Sequence, residues 1–250
     1  CLNGKFKNKY IGTFGDISIY SSSSIKTLDT YGGGLAIMNK ESYYLSLKAH
    51  QKKLHDPSRI FLINKIVTNI IRNVLTNKFV FSFLTYYIIF LLNLISQNTK
   101  MLGDRSISPI KSLPKNWFQK YTSVQAEIGI AKLNQVREED KKRIDIAEKI
   151  KNLLSSNEIN FPKGNNFGSN VYWQLLFYTN HPKKIRNYLY KKGIDTTSTS
   201  LEKICSLKEY GYKHTLPGVE KIYNQSLFFP CFSKMSKKQK QKVFKVIKEL

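Results

Sequence analysis

The sequence predicts an α/β fold, and three observations carry that prediction. Short apolar runs at 17–21, 35–39, 171–178 and 227–229 read as strands. Stretches at 41–54, 60–77, 122–154, 182–192 and 236–250 keep apolar residues three and four apart, which is the helical period. The 250 residues are 41% hydrophobic and 23% charged, so the chain can bury a core and is neither disordered nor collagen-like. Strands alternating with helices give the α/β class.

Taken in order, residues 1–12 are rich in Gly and Lys, like the end of a loop. The strand at 17–21 leads into four serines and Lys26. The glycines at 32–34 make a turn into the strand at 35–39. The helix at 60–77 lines up Lys65, Thr68, Asn69, Arg72, Asn73 and Thr76 on one face. Residues 79–95 then run without a charge. That length is borderline for a spanning helix, which needs about 20 residues. Two readings of the pair stay open: contact with a membrane surface through 60–95, or burial against the domain or a subunit partner. Residues 103–116 and 157–169 are loops by composition. The long helix at 122–154 places Val124, Ile128, Leu133, Val136, Ile144, Ala147 and Ile150 near helical spacing, with an exposed charged middle at 137–143. A strand at 171–178, a helix at 182–192, a strand entry at 193–197, a helix at 216–224 and a strand at 227–229 lead to the terminal helix.

The charge balance is extreme, with 41 basic against 17 acidic residues and a net charge of +24. Such a chain attracts polyanions. Yet 35 of the cations are Lys and 6 are Arg, whereas base-reading surfaces lean on the bidentate Arg fork. No zinc finger, helix-turn-helix or RNP motif is visible, so nucleic acid is not the expected partner. The lysine-rich run at 234–248 reads as the solvated face of the terminal helix. Cys1, Cys205 and Cys231 make no disulfide framework and no CxxC pair, which fits a reducing, cytoplasmic compartment. His50, His55, His181 and His214 stand apart and do not suggest metal ligands. Trp117 and Trp173 read as packing anchors, and Cys205 and Cys231 as small buried hydrophobes.

The stretch that carries chemistry is Gly15-Asp16-Ile17-Ser18-Ile19-Tyr20-Ser21-Ser22-Ser23-Ser24-Ile25-Lys26, followed by Gly32-Gly33-Gly34. A strand delivers hydroxyls and an amine into a loop, and a glycine turn lets backbone pass close to something. Serine hydroxyls and loop N–H groups suit a phosphate. The lysine is either a second phosphate donor or the amine that forms a Schiff base with an aldehyde cofactor.

The order of these residues resembles the DegT/DnrJ/EryC1/StrS family of pyridoxal-phosphate-dependent sugar aminotransferases. That pattern is a Gly-Asp-Ile strand, an aromatic-Ser pair at Tyr20-Ser21, a lysine five residues on at Lys26, and a glycine cluster at 32–34. Thr122-Ser123-Val124-Gln125-Ala126-Glu127-Ile128-Gly129 is similar to the helix after the family's active-site loop. Lys192-Gly193-Ile194, Leu216-Pro217 and Leu227-Phe228-Phe229-Pro230 match its closing segment. The resemblance implies a partial fold-type-I transferase: the end of the large domain over 1–120, with an inserted apolar helical pair at about 55–116, then a linking helix and small α/β domain over 121–250. It implies pyridoxal 5′-phosphate as cofactor, Ser21 as phosphate ligand, and Lys26 as both cofactor-binding and catalytic residue through a Schiff base. A nucleotide-linked keto sugar, an amino donor such as glutamate, and a homodimer follow from the same resemblance. Dehydratase relatives carry histidine at the lysine position, so Lys26 favours amino transfer.

Three departures qualify this. The family's acid that pairs with the pyridine nitrogen lies upstream of Cys1, so these residues are expected to be a C-terminal part that is inactive alone. The family's Asn-x-Arg segment aligns with Phe118-Gln119-Lys120, leaving Asn116 or Lys120 to reach a cofactor across the dimer. The insertion at 55–116 is longer than usual. The alternative is a catalytically degenerate, membrane-associated interaction protein of the same fold.

Overall fold

A computed structural model of the chain describes residues 2–24, 26–88, 91, 112–154, 159–162, 168–197, 203–206 and 216–250. The strands among them are β1 (Lys5–Phe6), β2 (Lys9–Tyr10), β3 (Ile17–Ser21), β4 (Gly34–Met38), β5 (Ile159–Asn160), β6 (Gly168–Ser169), β7 (Leu175–Thr179) and β8 (Ser226–Phe229). The helices are α1 (Glu41–Lys52), α2 (Arg59–Leu75), the single turn α3 (Lys78–Val80), α4 (Ser123–Leu154), α5 (Pro182–Lys191), α6 (Pro217–Gln225) and α7 (Lys237–Lys248). They form two compact units. The first is built from Cys1–Gln97, Ser112–Asp140 and Phe167–Val171, the second chiefly from Lys141–Asn166 and Tyr172–Leu250. The division falls within α4, which contributes residues to both.

In the first unit, β1 and β2 form a hairpin with Lys5 opposite Tyr10. Its two central residues, Lys7 and Asn8, have φ of 47° and 63°, the left-handed pair whose twist matches a two-residue hairpin. β6 pairs with the other edge of β1, giving the order β2-β1-β6. β3 and β4 pair antiparallel from Ile17↔Met38 to Ser21↔Gly34. The loop between them carries Lys26.

Helix α2 starts where Ser58 accepts a hydrogen bond from the Phe61 N–H, an N-cap that satisfies an otherwise open donor. Its inward face is mixed: half-buried Phe61, Leu62, Ile66 and Arg72 flank the buried Asn69, while Lys65, Thr68, Asn73 and Thr76 are exposed. Asn69 is buried, while Ile60, Ile63, Val67, Ile70, Ile71 and Val74 are exposed. Beyond α3 the chain continues as a π-helical turn, Phe81–Thr85. No helix among the described residues is long and apolar enough to cross a membrane. Residues 89–90 and 92–95 of the uncharged run, and most of the segment to 111, lie outside the described residues.

The second unit holds the main core. Its sheet has the order β5-β7-β8, all antiparallel. β7 alternates with a period of two, burying Leu175, Phe177 and Thr179. Phe177 and Phe229 lie on neighbouring strands and stack with ring centroids 4.8 Å apart. Ile146, Ala147, Ile150 and Leu154 of α4 close one side of this core, with Leu189 of α5 and Val243, Val246 and Ile247 of α7. α5 begins with Pro182 at its first turn, where a missing N–H costs nothing. It ends in a Schellman motif: Gly193 N–H bonds Tyr190 C=O at 2.8 Å and Ile194 N–H bonds Leu189 C=O at 2.8 Å. Gly193 takes φ 73°, which favours glycine. α7 opens with a reciprocal capping box between Ser236 and Gln239.

Several expectations need correction. The charged middle of the long helix is not wholly exposed: Asp140 is 1% accessible and accepts a hydrogen bond from Asn3 Nδ2 at 2.7 Å. Burying a carboxylate is tolerable when such bonds replace water. Val124 and Leu133, placed on the helix's apolar stripe, are exposed. The loop expected at 157–169 contains β5 and β6. The strand expected from 171 begins at Leu175. At 193–197 there is only an isolated bridge from Thr197 to Phe228. Trp117 and Trp173, expected as packing anchors, are 60% and 44% exposed.

Candidate active site

The loop from Ser22 to Gly33 is tied at its neck. The Ser22 N–H donates to the Gly33 carbonyl at 3.1 Å, and the Ser22 hydroxyl to the Gly32 carbonyl at 3.0 Å. The Thr30 N–H returns to the Ser22 carbonyl at 3.0 Å. Ser22, Leu28 and Thr30 are buried, so the loop has a small interior of its own. The Lys26 N–H bonds the Ser23 carbonyl at 2.9 Å, closing a tight turn that presents the lysine. Lys26 is half-buried. Ser21 is the exposed last residue of β3, and its hydroxyl lies 3.3 Å from that of Ser23. Of the sequence-predicted site residues, Ser21 thus ends β3 at the mouth of this loop and Lys26 lies in its turn.

The glycine exit is demanded by geometry. Tyr31, Gly32 and Gly33 take φ of 65°, 141° and 77° in succession. A side chain on Gly33 would also start 2.6 Å from the Tyr121 ring. Gly33 is therefore needed both for its backbone and for its lack of Cβ. Tyr31, which is not a glycine, is steadied by its N–H bond to Asp29 Oδ1 at 2.8 Å.

Groups from other elements hold this loop, and sequence reasoning assigned none of them a role. The Tyr121 hydroxyl donates to Thr30 Oγ1 at 2.6 Å. Gln125 divides its amide between two tasks. Its Oε1 accepts from the Thr122 N–H and hydroxyl at 3.1 and 3.2 Å, capping α4. Its Nε2 donates to the Thr30 and Gly32 carbonyls at 3.2 and 3.4 Å. Lys132 Nζ donates to the Asp29 carbonyl at 2.7 Å. From α2, Asn69 Nδ2 donates to Ser24 Oγ at 2.8 Å, and Arg72 pairs with Asp29 at 3.8 Å. Two signals for these were present in the sequence: the Thr-x-x-Gln spacing of a capping box at Thr122 and Gln125, and the polar stripe of α2.

Asn116 sits exposed in a short 3-10 turn, Lys115–Trp117. Lys120 pairs with Asp56 at 3.5 Å, and its N–H bonds the His55 carbonyl at 2.9 Å. Among the described residues no group of three His, Cys, Asp or Glu is placed to hold a metal ion. The Cys231 thiol is buried and pushed up to about 11 by that burial, so it is no nucleophile at neutral pH. What the loop offers chemically is one primary amine, the exposed Ser21 and half-buried Ser23 hydroxyls for an anion at its mouth, and a hydrogen-bonded backing. Those residues fit a phosphorylated aldehyde, with the amine for the carbonyl and the hydroxyls for the phosphate. Asn69 Oδ1, buried and without a partner among the described residues, sits behind the same loop.

Residues 118–248, just over half of the chain, match the sequence profile of the DegT/DnrJ/EryC1/StrS aminotransferase family. The chain belongs to this family. GDP-perosamine synthase of Escherichia coli O157:H7 is 36% identical over 63 residues, covering 22% of this chain and 17% of the relative. An aminotransferase from Psychrobacter cryohalolentis superposes with a TM-score of 0.66 at 15% identity, covering 99% of this chain and 58% of that one. The sugar aminotransferase CalS13 of Micromonospora echinospora gives 0.62 at 15% identity, over 99% of this chain and 55% of its own. Spr1654 of Streptococcus pneumoniae, in its PMP form, gives 0.65 at 13% identity, over 99% and 56%. The chain thus has the α/β fold of the fold-type-I sugar aminotransferases, and it spans just over half the length of those solved chains.

Proposed function

We propose that the whole protein is a pyridoxal-phosphate-dependent aminotransferase acting on a nucleotide-linked keto sugar, with Lys26 as the amine that binds the cofactor covalently. The observation that carries this is the placement of Lys26 in a turn closed on Ser23 and backed by Tyr121, Gln125, Lys132, Asn69 and Arg72. Family membership supports transamination, and the cofactor-bearing relative supports pyridoxal phosphate. When bound, that cofactor supplies an aldehyde carbon and a ring that accepts electrons. This chain's residues do the rest. Ser21 donates its hydroxyl hydrogen to the phosphate. Lys26 Nζ carries a proton between the reacting carbons, which requires a fixed reach and therefore a braced loop. The first unit serves as the end of the cofactor-binding domain and the second as the small domain of a homodimer. Glutamate is the expected amino donor.

The test is to mix the full-length protein with pyridoxal 5′-phosphate, reduce with borohydride and map the adduct. The expected result is label on the peptide bearing Lys26, lost in Lys26→Arg along with amino transfer. A parent protein that traps nothing there overturns the reading. A second reading, a membrane-associated interaction protein of the same fold, is favoured by one observation: the exposed Ile60, Ile63, Ile70 and Val74 of α2. It predicts co-sedimentation with anionic vesicles by a parent protein that takes up no cofactor.

A further inference from the structure

Helix α2 buries an amide where a helix of its composition would bury isoleucine. Asn69 is 3% exposed and is the buried residue of that helix. Such burial is unfavourable unless hydrogen bonds replace water. Nδ2 has its bond, to Ser24 Oγ at 2.8 Å, while Oδ1 is buried without a partner among the described residues. Arg72, three residues on and hence on the same face, pairs with Asp29. The two attachment points, Ser24 and Asp29, lie on either side of Lys26 in the chain. The direction of the first bond also matters. Because the amide donates, the Ser24 oxygen is the acceptor, and the hydroxyl hydrogen is left for another group. A helix docked only for stability would place its most apolar residues deepest; here Phe61, Leu62 and Ile66 are half-buried and the one fully buried side chain is Asn69, which grips the lysine loop.

We propose that Asn69 and Arg72 are positioning residues for Lys26, holding its loop through Ser24 and Asp29, and that Asn69 fixes Ser24 as a second hydroxyl donor to the cofactor phosphate beside Ser21. The second clause rests on the aminotransferase reading; the brace itself does not. It makes the segment that includes α2 a working part of the site.

The experiment uses full-length protein. Hydrogen exchange is read first without cofactor, on the peptide covering residues 21–30. Asn69→Ala and Arg72→Ala are expected to speed exchange there at least tenfold, with exchange in β7 and α7 unchanged. Thr68→Ala, at an exposed residue of α2 whose hydroxyl donates to the Asn64 carbonyl, is the control and leaves the loop slow. Borohydride trapping at Lys26 is then compared for pyridoxal 5′-phosphate and for pyridoxal. Ser24→Ala and Asn69→Ala are expected to weaken retention of the phosphorylated probe at least tenfold relative to the unphosphorylated one. A general loss of structure would not produce that selectivity. If Asn69→Ala does not fold, Ser24→Ala breaks the same bond from the other side. Unchanged loop exchange overturns the brace, and unchanged probe selectivity overturns the role of Ser24. A parent that traps neither probe overturns the aminotransferase reading and Ser24's role with it, while the exchange arm decides the brace on its own.

Discussion

Cys231, Tyr172 and Lys151 show how single side chains in the second unit set its response to base. Burial holds the Cys231 thiol at about 11 against an ordinary 9.0. Burial, and next the Glu148 carboxylate that accepts its hydrogen at 2.8 Å, raises Tyr172. For Lys151 burial works downward, but the bonds to Glu148 at 2.9 and 3.0 Å and the nearby Tyr172 outweigh it, and the net shift is upward. Each group therefore keeps its proton longer folded than unfolded. Their contribution to stability is whole below the unfolded values and is lost as pH rises through the folded ones. Unfolding is expected to become easier from about pH 9 upward, read as a falling melting midpoint, and Cys231 to resist alkylation until the unit unfolds. A second residue-scale expectation concerns Gly33. Gly33→Ala forces a Cβ toward the Tyr121 ring at positive φ. We expect a loss of about 1–3 kcal/mol, read as a lower midpoint of denaturant unfolding with faster exchange in the lysine loop.

At the scale of elements, Ser236→Ala removes the hydroxyl that accepts from the Gln239 N–H at 3.2 Å and opens the capping box of α7. The cost should be about 1 kcal/mol, measured by chemical denaturation. Elements also show what a sequence can display. The strand at Ile17–Ser21 and the long helix Ser123–Leu154 were legible because five or more residues suffice to show a period. The two-residue strands β1, β2, β5 and β6 carry no period at all. Helix α2 was legible as amphipathic, but periodicity does not say which face turns inward. Ser24 and Asp29 decide that, and they lie more than forty residues away. Asp140 was hidden for the same reason: a charge inside a charged run looks solvated until Asn3, 137 residues distant, is found on it. At the proposed site, residue order alone singled out Ser21 and Lys26. Tyr121 was not so marked, because its role is a bond to Thr30, 91 residues away in sequence.

Across the whole molecule the net charge of +24 acts on encounter more than on fold. The proposed substrate, a sugar nucleotide whose diphosphate carries two negative charges, would be drawn toward such a surface over roughly 10 Å at 0.1 M salt and over about 3 Å at 1 M. In the full protein, KM for the sugar nucleotide should climb with ionic strength while kcat holds. A KM indifferent to salt would show that the lysines play no part in capture. Helix α2 has a further outcome at this scale. The aliphatic side chains at Ile63, Ile70 and Val74 face away from every bond that grips the lysine loop. Rewriting that stripe as lysine and glutamate would leave the grip untouched, so the aliphatic side of the helix and the side that holds the loop can be edited, and judged, one at a time.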